Sequence, residues 1–465
     1  MKHFFLIALA LLASDFKAAR IIINGNVQHT KVKSLTYSFN RGVIRYEEVK
    51  KTTTIDKKGN FKIVLDLSTL TRISIVIDEQ YTSLHLQPGD SIGMKIDYLD
   101  FDKSIVFSGK NSSKNNFEKE FGEKFILGHE SEIYQQNAYR KAVPFANYCD
   151  SMLKAKLHFT DTYREKLDPV FATNFKKNLM YANASDKLDY PGMWVYLKKL
   201  KDTLPEMPYS YFDFVKEFSL DTDSLLKTES GFDFLKSVCD HYGNYLERTS
   251  GKTLDYYGKM QIAESMVKNE RNLLAYNSHL VLSALEYGKF VEAEKIYLSY
   301  ELKNPNSMYL TELKDTYTKI KSISPGQNAP AFTLLDDAGK KVSLSDFKGK
   351  IIYLDFWASW CGPCVRELAF SKKIKPEYEG KDIVFLYISI DEDEKSWKNG
   401  ITKNEIHGVN LIAPSFDNAL CDSYNVKGIP SYFLIGRDGK IIDNNPPRPS
   451  EEEALKKLLT SALEK

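Results

Sequence analysis

The chain has 465 residues, 43% of them hydrophobic, and its 64 basic residues nearly balance 62 acidic ones to leave a formal net charge of +2. This length suits about three domains of ordinary size, and the hydrophobic content excludes a globally disordered chain. The balanced charge, without a long basic run, excludes a typical nucleic-acid-binding protein. Five cysteines are too few for a small scaffold held together by disulfides.

The N-terminus has the pattern of a secretion signal. Lys2 and His3 precede an apolar run from Phe4 to Ala13, which is too short to cross a bilayer comfortably and is followed by small residues. We therefore expect residues 1–19 to be a signal peptide and the protein to be exported. A buried first strand or an uncleaved anchor is the alternative.

Residues 20–110 contain short β-branched and aromatic runs separated by turn residues. Turns such as Asn24-Gly25 and Pro88-Gly89-Asp90 follow one another closely, which predicts an antiparallel β-sandwich. No Cys, His or carboxylate residues cluster in this part of the sequence, so we interpret it as a packing or interaction module. Strands are expected at 21–23, 61–67, 73–77 and 82–86.

Residues 111–322 change to a helical period, with apolar residues recurring on one face from Phe117 to Ile126 and again at 281–300. This pattern predicts an α-helical domain, and the absence of a fixed-period repeat argues against a solenoid. Cys149 and Cys239 are expected in its core. Interruptions between helices are expected at the proline-containing segments 190–192, 204–206 and 304–306.

Residues 323–465 alternate strand and helix patterns after a linker rich in proline and glycine at 325–331. This alternation predicts an α/β domain. Its strands are expected at 332–335, 351–355, 383–390 and 431–435. Its helices are expected at 363–378, 418–424 and 450–463.

The stretch Asp355-Phe356-Trp357-Ala358-Ser359-Trp360-Cys361-Gly362-Pro363-Cys364 joins a predicted strand to a C-x-x-C pair that opens a predicted helix. The unpaired N–H groups and positive dipole end of a helix N-terminus stabilise a thiolate. We expect the pKa of Cys361 to fall from about 8.5 towards about 7, so that Cys361 attacks a disulfide and Cys364 resolves the mixed disulfide. A zinc site is the alternative, but the other cysteines are isolated and the histidines lack the spacing of zinc ligands. We therefore expect no metal.

These residues resemble the thioredoxin family, and more closely its TlpA/ResA branch of exported thiol–disulfide oxidoreductases. A second, distant motif agrees: Tyr424-Asn425-Val426-Lys427-Gly428-Ile429-Pro430 is similar to the family's cis-proline loop. The interval between Cys361 and Pro430 is longer than in plain thioredoxin, and residues 391–410 are expected to supply the insertion. The resemblance implies a thioredoxin-like fold for residues 323–465.

The resemblance also implies roles for further residues. Asp355 occupies the place of thioredoxin's buried aspartate, which accepts the proton of the resolving thiol, although Tyr387 stands where thioredoxin has the facing lysine. Glu367 corresponds to a glutamate that tunes the pKa values of the site. A strand-end carboxylate and a solvated surface glutamate are the alternatives for these two acids. The residues implied in substrate binding are Trp360, Ile429 and the cis residue Pro430.

The sequence therefore predicts an exported oxidoreductase that reduces protein disulfides with no cofactor beyond the Cys361–Cys364 pair. Its expected partners are disulfide-containing or dithiol proteins and a membrane electron donor. A thiol peroxidase is one alternative, which Ala358 disfavours because such peroxidases need a threonine there. Another alternative is an envelope binding protein, in which the two N-terminal regions bind a partner or envelope ligand and the redox domain is accessory. The first region, including Leu86-Gln87-Pro88-Gly89-Asp90, resembles the β-rich domain that exported thioredoxin-like proteins of Gram-negative bacteria carry before their redox domain. The periplasm or cell envelope of such a bacterium is the expected location.

Overall fold

The computed structural model describes residues 19–44, 47–128, 131–199 and 204–464. The predicted signal peptide lies outside these ranges apart from its last residue, so it stays a prediction. The chain divides into two compact units, the first ending at Tyr276 and the second beginning at Asn277. Within the described ranges, no helix has both the length and the apolar character needed to cross a membrane.

The first unit begins with two four-stranded sheets, ordered β4-β1-β7-β8 and β3-β2-β5-β6. Buried residues of both sheets, such as Ile23 and Ile75, belong to one hydrophobic core. The strands are β1 (Ala19–Gln28), β2 (Ser34–Arg41), β3 (Glu47–Thr54), β4 (Asn60–Leu67), β5 (Thr71–Ile77), β6 (Gln80–Leu86), β7 (Ser91–Asp97) and β8 (Val106–Lys110).

The prediction of a β-rich N-terminal region is confirmed, but its purely antiparallel character is wrong. β1 pairs in parallel with β7, from Ile22 opposite Ser91 to Gln28 opposite Asp97. A parallel pair requires a long connection between its strands, and here β2 to β6 supply it. The turns in the sequence indicate hairpins between strands that are neighbours in the chain. They do not reveal that β7 pairs with the distant strand β1.

A buried ion pair holds the turn that ends the Leu86–Asp90 motif. The Asp90 carboxylate accepts hydrogen bonds from Lys114 Nζ at 2.7 Å, from Asn111 Nδ2 at 2.7 Å and from the Gln87 backbone N–H at 2.9 Å. Both Asp90 and Lys114 are buried. The motif therefore has a structural role, since it joins the turn before β7 to the first long helix.

Helices make up the rest of the first unit: α1 (Phe101–Ser104), α2 (Ser113–Phe125), α3 (Glu132–Tyr139), α4 (Ala142–Thr162), α5 (Pro169–Leu197), α6 (Glu229–Ser250) and α7 (Tyr256–Met266). Helix α8 (Glu270–Tyr287) contains the point at which the two units divide. The predicted interruption at 190–192 is wrong, because Pro191 lies inside α5. Tyr190 is buried there and stacks on Phe145 with ring centroids 4.9 Å apart, so packing keeps the helix continuous across the proline.

After the end of α8, the second unit contains a helical hairpin, α9 (Phe290–Lys303) and α10 (Leu310–Ser322), whose two helices are separated at 304–306 as predicted. A seven-stranded sheet follows, in the order β10-β9-β13-β12-β11-β14-β15. The strands are β9 (Thr333–Asp336), β10 (Lys341–Ser343), β11 (Ile351–Trp357), β12 (Ile383–Ser389), β13 (Val409–Ile412), β14 (Ser431–Ile435) and β15 (Ile441–Asp443), and the helices are α11 (Gly362–Ile374), α12 (Glu394–Asn404), α13 (Ala419–Ser423) and α14 (Glu452–Leu463).

Strand β11 lies in the interior of this sheet next to its middle strand β12, parallel to β12 and antiparallel to β14. All seven of its residues are buried, so the strand reads as a continuous apolar run interrupted by one acid, Asp355. The predicted α/β domain is confirmed. The interval 391–410, expected to hold the insertion, contains α12 and the beginning of β13.

Candidate active site

The C-x-x-C pair lies where the central strand meets a helix. β11 ends at Trp357 and α11 begins at Gly362, so Cys361 is the N-cap residue of the helix. The backbone N–H of Cys364 donates to Cys361 Sγ at 3.1 Å, and the two sulfurs form a disulfide of 2.01 Å. A sulfur at this position receives a helix N–H directly, which favours its negative form once the disulfide is reduced.

Cys361 is the outer of the two sulfur-bearing residues, 5% exposed against 1% for Cys364. The other three cysteines are unpaired and buried within the described chain. Burial raises the pKa of the Cys149 and Cys239 thiols to about 12 and also raises the pKa of Cys421. These three thiols are therefore poor nucleophiles at neutral pH, and redox reactivity is concentrated at the C-x-x-C pair.

The second sequence motif folds back against the disulfide. The Ile429–Pro430 peptide bond is cis, as predicted. The Ile429 carbonyl oxygen lies 3.8 Å from Cys361 Sγ, although 68 positions separate the two residues. Ile429 and Pro430 are partly exposed, and Trp360 next to the cysteine is largely exposed. The strand–helix junction and the cis-proline loop thus present one accessible surface around the outer sulfur.

Asp355 is buried beneath this surface, with strands β12 and β14 on either side. Its cross-strand neighbours are Tyr387 and Tyr432. The Tyr387 hydroxyl is hydrogen-bonded to Ser371 at 2.8 Å, and one Asp355 oxygen has no partner among the described residues. Burial raises the pKa of the Asp355 carboxyl well above its ordinary value, and the nearby Glu367 carboxylate raises it further. Burial therefore gives the Asp355 carboxylate a higher affinity for a proton than an exposed aspartate has.

Glu367 lies one turn beyond Cys364 on α11 and is buried, not solvated. Its two carboxylate oxygens accept hydrogen bonds from Ser450, one from the backbone N–H at 2.9 Å and one from Oγ at 2.8 Å. This pairing fixes the carboxylate just before α14. The alternative of a surface glutamate is therefore wrong, because the segment leading into α14 covers this face of α11.

Asp391, which the sequence pattern placed only within the predicted insertion, is a further residue that shapes the site. The buried Asp391 carboxylate accepts hydrogen bonds from the Ser359 N–H at 2.9 Å, from Ser359 Oγ at 2.7 Å and from Ser389 Oγ at 2.6 Å. Ser359 lies two residues before Cys361, so Asp391 holds the loop that carries the nucleophile. Its signal in the sequence is a serine and an aspartate, Ser389 and Asp391, two positions apart where β12 ends.

A family model described as Redoxin matches residues 324–459. The thiol-disulfide oxidoreductase ResA of Bacillus thuringiensis subsp. konkukian is 32% identical over 145 residues, which cover 30% of this chain and 83% of the relative. ResA of Bacillus subtilis is 32% identical over 123 residues, which cover 26% of this chain and 67% of that relative. The crystal structure of a putative thiol-disulfide oxidoreductase from Bacteroides vulgatus is 39% identical, covers 30% of this chain and 99% of that one, and has a TM-score of 0.29.

The mixed sheet, the disulfide at a helix N-terminus and the cis-proline loop define a thioredoxin-like oxidoreductase. The chain belongs to the TlpA/ResA-like branch of the thioredoxin family and is a thiol–disulfide oxidoreductase. The predicted family, enzyme class and C-terminal fold are confirmed. Members of such a class act on disulfide or dithiol proteins. Within the described ranges, no group of three or more His, Cys, Asp or Glu residues is placed to hold a metal ion.

Proposed function

We propose that this enzyme reduces disulfides of partner proteins through Cys361 and Cys364. The observation that carries the proposal is the Cys361–Cys364 disulfide at the start of α11, 3.8 Å from the carbonyl of the cis-proline loop. In the reduced enzyme the Cys361 thiolate attacks one sulfur of the partner disulfide and the other partner sulfur leaves as a thiolate. Cys364 then attacks Cys361 Sγ, which releases the second partner thiolate and forms the intramolecular disulfide. Two electrons pass to the partner in each cycle.

The neighbouring residues have separate tasks in this reaction. Asp355 takes the proton of Cys364 in the second step, and Glu367 adjusts the charge around both groups. The support is the burial of both acids and the effect of Glu367 on the pKa of Asp355. The residues proposed to contact the partner chain are Trp360, through its exposed ring, Ile429, through its backbone, and Pro430.

The proposed location is the periplasm or cell envelope, after export by the N-terminal signal. No further cofactor enters the cycle, because the cysteine pair itself carries the electrons. The oxidised pair must then be reduced again by a dithiol donor, for which we propose a membrane protein. The two N-terminal sheets, which share one core, are proposed to form a sandwich-like module that accompanies the redox domain.

Trapping of the mixed disulfide tests this function. Reduced Cys364→Ser protein should attack a partner disulfide but should not release the reduced partner, because the resolving thiol is missing. It should therefore accumulate a covalent adduct through Cys361, detected as a mass increase that dithiothreitol reverses. Cys361→Ser is the matched control and should form no adduct. Wild type should reduce hydroxyethyl disulfide and insulin. A Cys364→Ser protein that forms no adduct, or equal trapping by Cys361→Ser, would contradict the assigned roles.

A further inference from the structure

Two partly exposed aromatic rings lie against each other, and one of them belongs to the residue directly before the outer cysteine. Phe416, in the loop between β13 and α13, has its ring centroid 6.4 Å from that of Trp360, and the rings are inclined by 57°. Phe416 is 37% exposed and Trp360, directly before Cys361, is 62% exposed. Large apolar side chains left partly in water at the mouth of an active site are candidates for contact with a substrate.

The loop that carries Phe416 is held in place. Ser415 has a positive φ of 71°, which is uncommon for a residue with a Cβ. Its N–H donates to the Ile390 carbonyl at 3.1 Å, and its carbonyl accepts from Asn418 Nδ2 at 2.5 Å. The N–H of Ile390 in turn donates to the Trp357 carbonyl, at the end of the central strand. The position of Phe416 is thus fixed relative to the strand that leads to the cysteines.

We propose that Phe416 and Trp360 form an apolar rim that selects partner proteins carrying a large apolar side chain within two residues of the attacked cysteine. This inference rests on the proposed function and names its substrate preference. The rim is continuous with the catalytic surface, since Trp360 adjoins Cys361 and the Ile429 carbonyl lies 3.8 Å from the same sulfur.

The chemistry of the rim determines its occupant. A Leu or Phe side chain placed over the exposed parts of the two rings removes apolar surface from water, whereas a charged side chain would lose hydration against them without gaining a partner. Phe416 is therefore a specificity-determining residue that takes no part in the electron transfer.

The test uses the reduced full chain and two short peptides that differ only in the residue after cysteine, Leu or Ser, each joined by a disulfide to the same chromogenic aryl thiol. Wild type should show a kcat/KM about tenfold higher for the Leu peptide, a discrimination typical of a small change in an apolar site. Phe416→Ala should lower this ratio to about two. Phe416→Leu, which keeps an apolar side chain, should retain an intermediate ratio.

Phe370→Ala is the matched control, because Phe370 is also 37% exposed but lies on α11 at a distance of nine positions from Cys361 in the chain. It should leave the ratio at the wild-type value. An unchanged ratio in Phe416→Ala, or a wild-type ratio near one, would overturn the inference. Reduction of hydroxyethyl disulfide by wild type is measured alongside, since its loss would count against the proposed function itself.

Discussion

Asp355 combines two properties that decide its behaviour, complete burial in the central strand and a carboxyl oxygen with no partner among the described residues. Burial without a compensating hydrogen bond disfavours the charged form, which explains the raised pKa. Tyr387 does not compensate, because its hydroxyl is bonded to Ser371. A carboxylate with a raised pKa is a stronger base than an exposed aspartate, which suits acceptance of the proton from the Cys364 thiol.

Asp355→Asn should leave the first attack by Cys361 nearly unchanged and slow the resolving step on the order of 10²-fold, because the general base is removed. Single-turnover kinetics with a chromogenic disulfide separate the two steps. Glu367→Gln is the control for a lost carboxylate that accepts hydrogen bonds from Ser450. Equal slowing of both steps in Asp355→Asn, or slowing of resolution in Glu367→Gln alone, would assign the proton transfer elsewhere.

Asp355 also makes stability depend on pH. The folded protein retains a proton that the unfolded chain, with an aspartate pKa of about 3.9, has released, so this group lowers stability as the pH rises from about 4 towards its folded pKa. Asp355→Asn lacks this effect. Its free energy of unfolding should therefore exceed that of oxidised wild type by a margin that grows with pH, by up to about 1.4 kcal/mol per pH unit. Urea unfolding at pH 4.5 and 7 measures the margin. The exposed Asp337→Asn controls for the charge change, and a margin independent of pH would refute the expectation.

At the scale of elements, the site depends on the junction between the end of β12 and the loop after β11. Asp391 makes this junction by accepting three hydrogen bonds from Ser359 and Ser389. Gly400 of α12 packs against the same loop, where an added Cβ would lie 2.8 Å from Ser359 Cβ. The interval 391–410, predicted to hold an insertion relative to plain thioredoxin, therefore also supports the cysteine loop.

Asp391→Ala should destabilise the oxidised protein by about 3 kcal/mol, because buried donors of Ser359 and Ser389 lose their acceptor. The rate of alkylation of reduced Cys361 should fall as its loop loosens, and Asp391→Asn, which keeps one acceptor oxygen, should recover part of both losses. Asp393→Asn is the control, since this exposed residue caps α12 and asparagine caps a helix equally well. Wild-type stability and alkylation in Asp391→Ala would show that the junction does not position the cysteine.

At the scale of the whole molecule, the redox domain extends beyond the residues that resemble its family. Ile320 and Ile323 belong to the same hydrophobic core as β11, and Phe290 of α9 packs against that core. Asn445 Nδ2 donates to the Tyr287 carbonyl at 3.2 Å. The hairpin of α9 and α10 is therefore part of the folded unit that contains the cysteines, and the unit begins at Asn277.

A fragment of residues 277–465 should consequently unfold at a higher urea concentration than one of residues 324–465. The shorter fragment leaves exposed the core surface covered by Ile320 and Phe290, which costs about 3 kcal/mol at roughly 1.5–3 kcal/mol for each buried side chain. Both fragments should reduce hydroxyethyl disulfide at similar rates while folded, because the cysteines and the cis-proline loop are present in each. Equal unfolding midpoints would show that the hairpin adds nothing to the core.

The sequence by itself determined the chemistry of this protein, because that chemistry depends on local patterns. An apolar strand followed by C-x-x-C predicts a cysteine at a helix N-terminus, and Cys361 is the N-cap of α11. A continuous apolar run likewise located β11, because the strand is buried on both faces. Apolar periodicity located the helical region that contains α9 and α10, since burial of one helix face imposes that periodicity. The cis-proline loop was found from its motif alone.

The tertiary structure decided what depends on contacts between distant parts of the chain. The parallel pairing of β1 with β7, the continuity of α5 through Pro191, the burial of Glu367 beneath Ser450 and the junction made by Asp391 each join segments that no local pattern relates. The contact between Phe416 and Trp360, which lie 56 positions apart in the chain, likewise became visible only in the folded protein. Periodicity reports how a segment is buried but not which segment buries it, so these contacts could be read only from the folded chain.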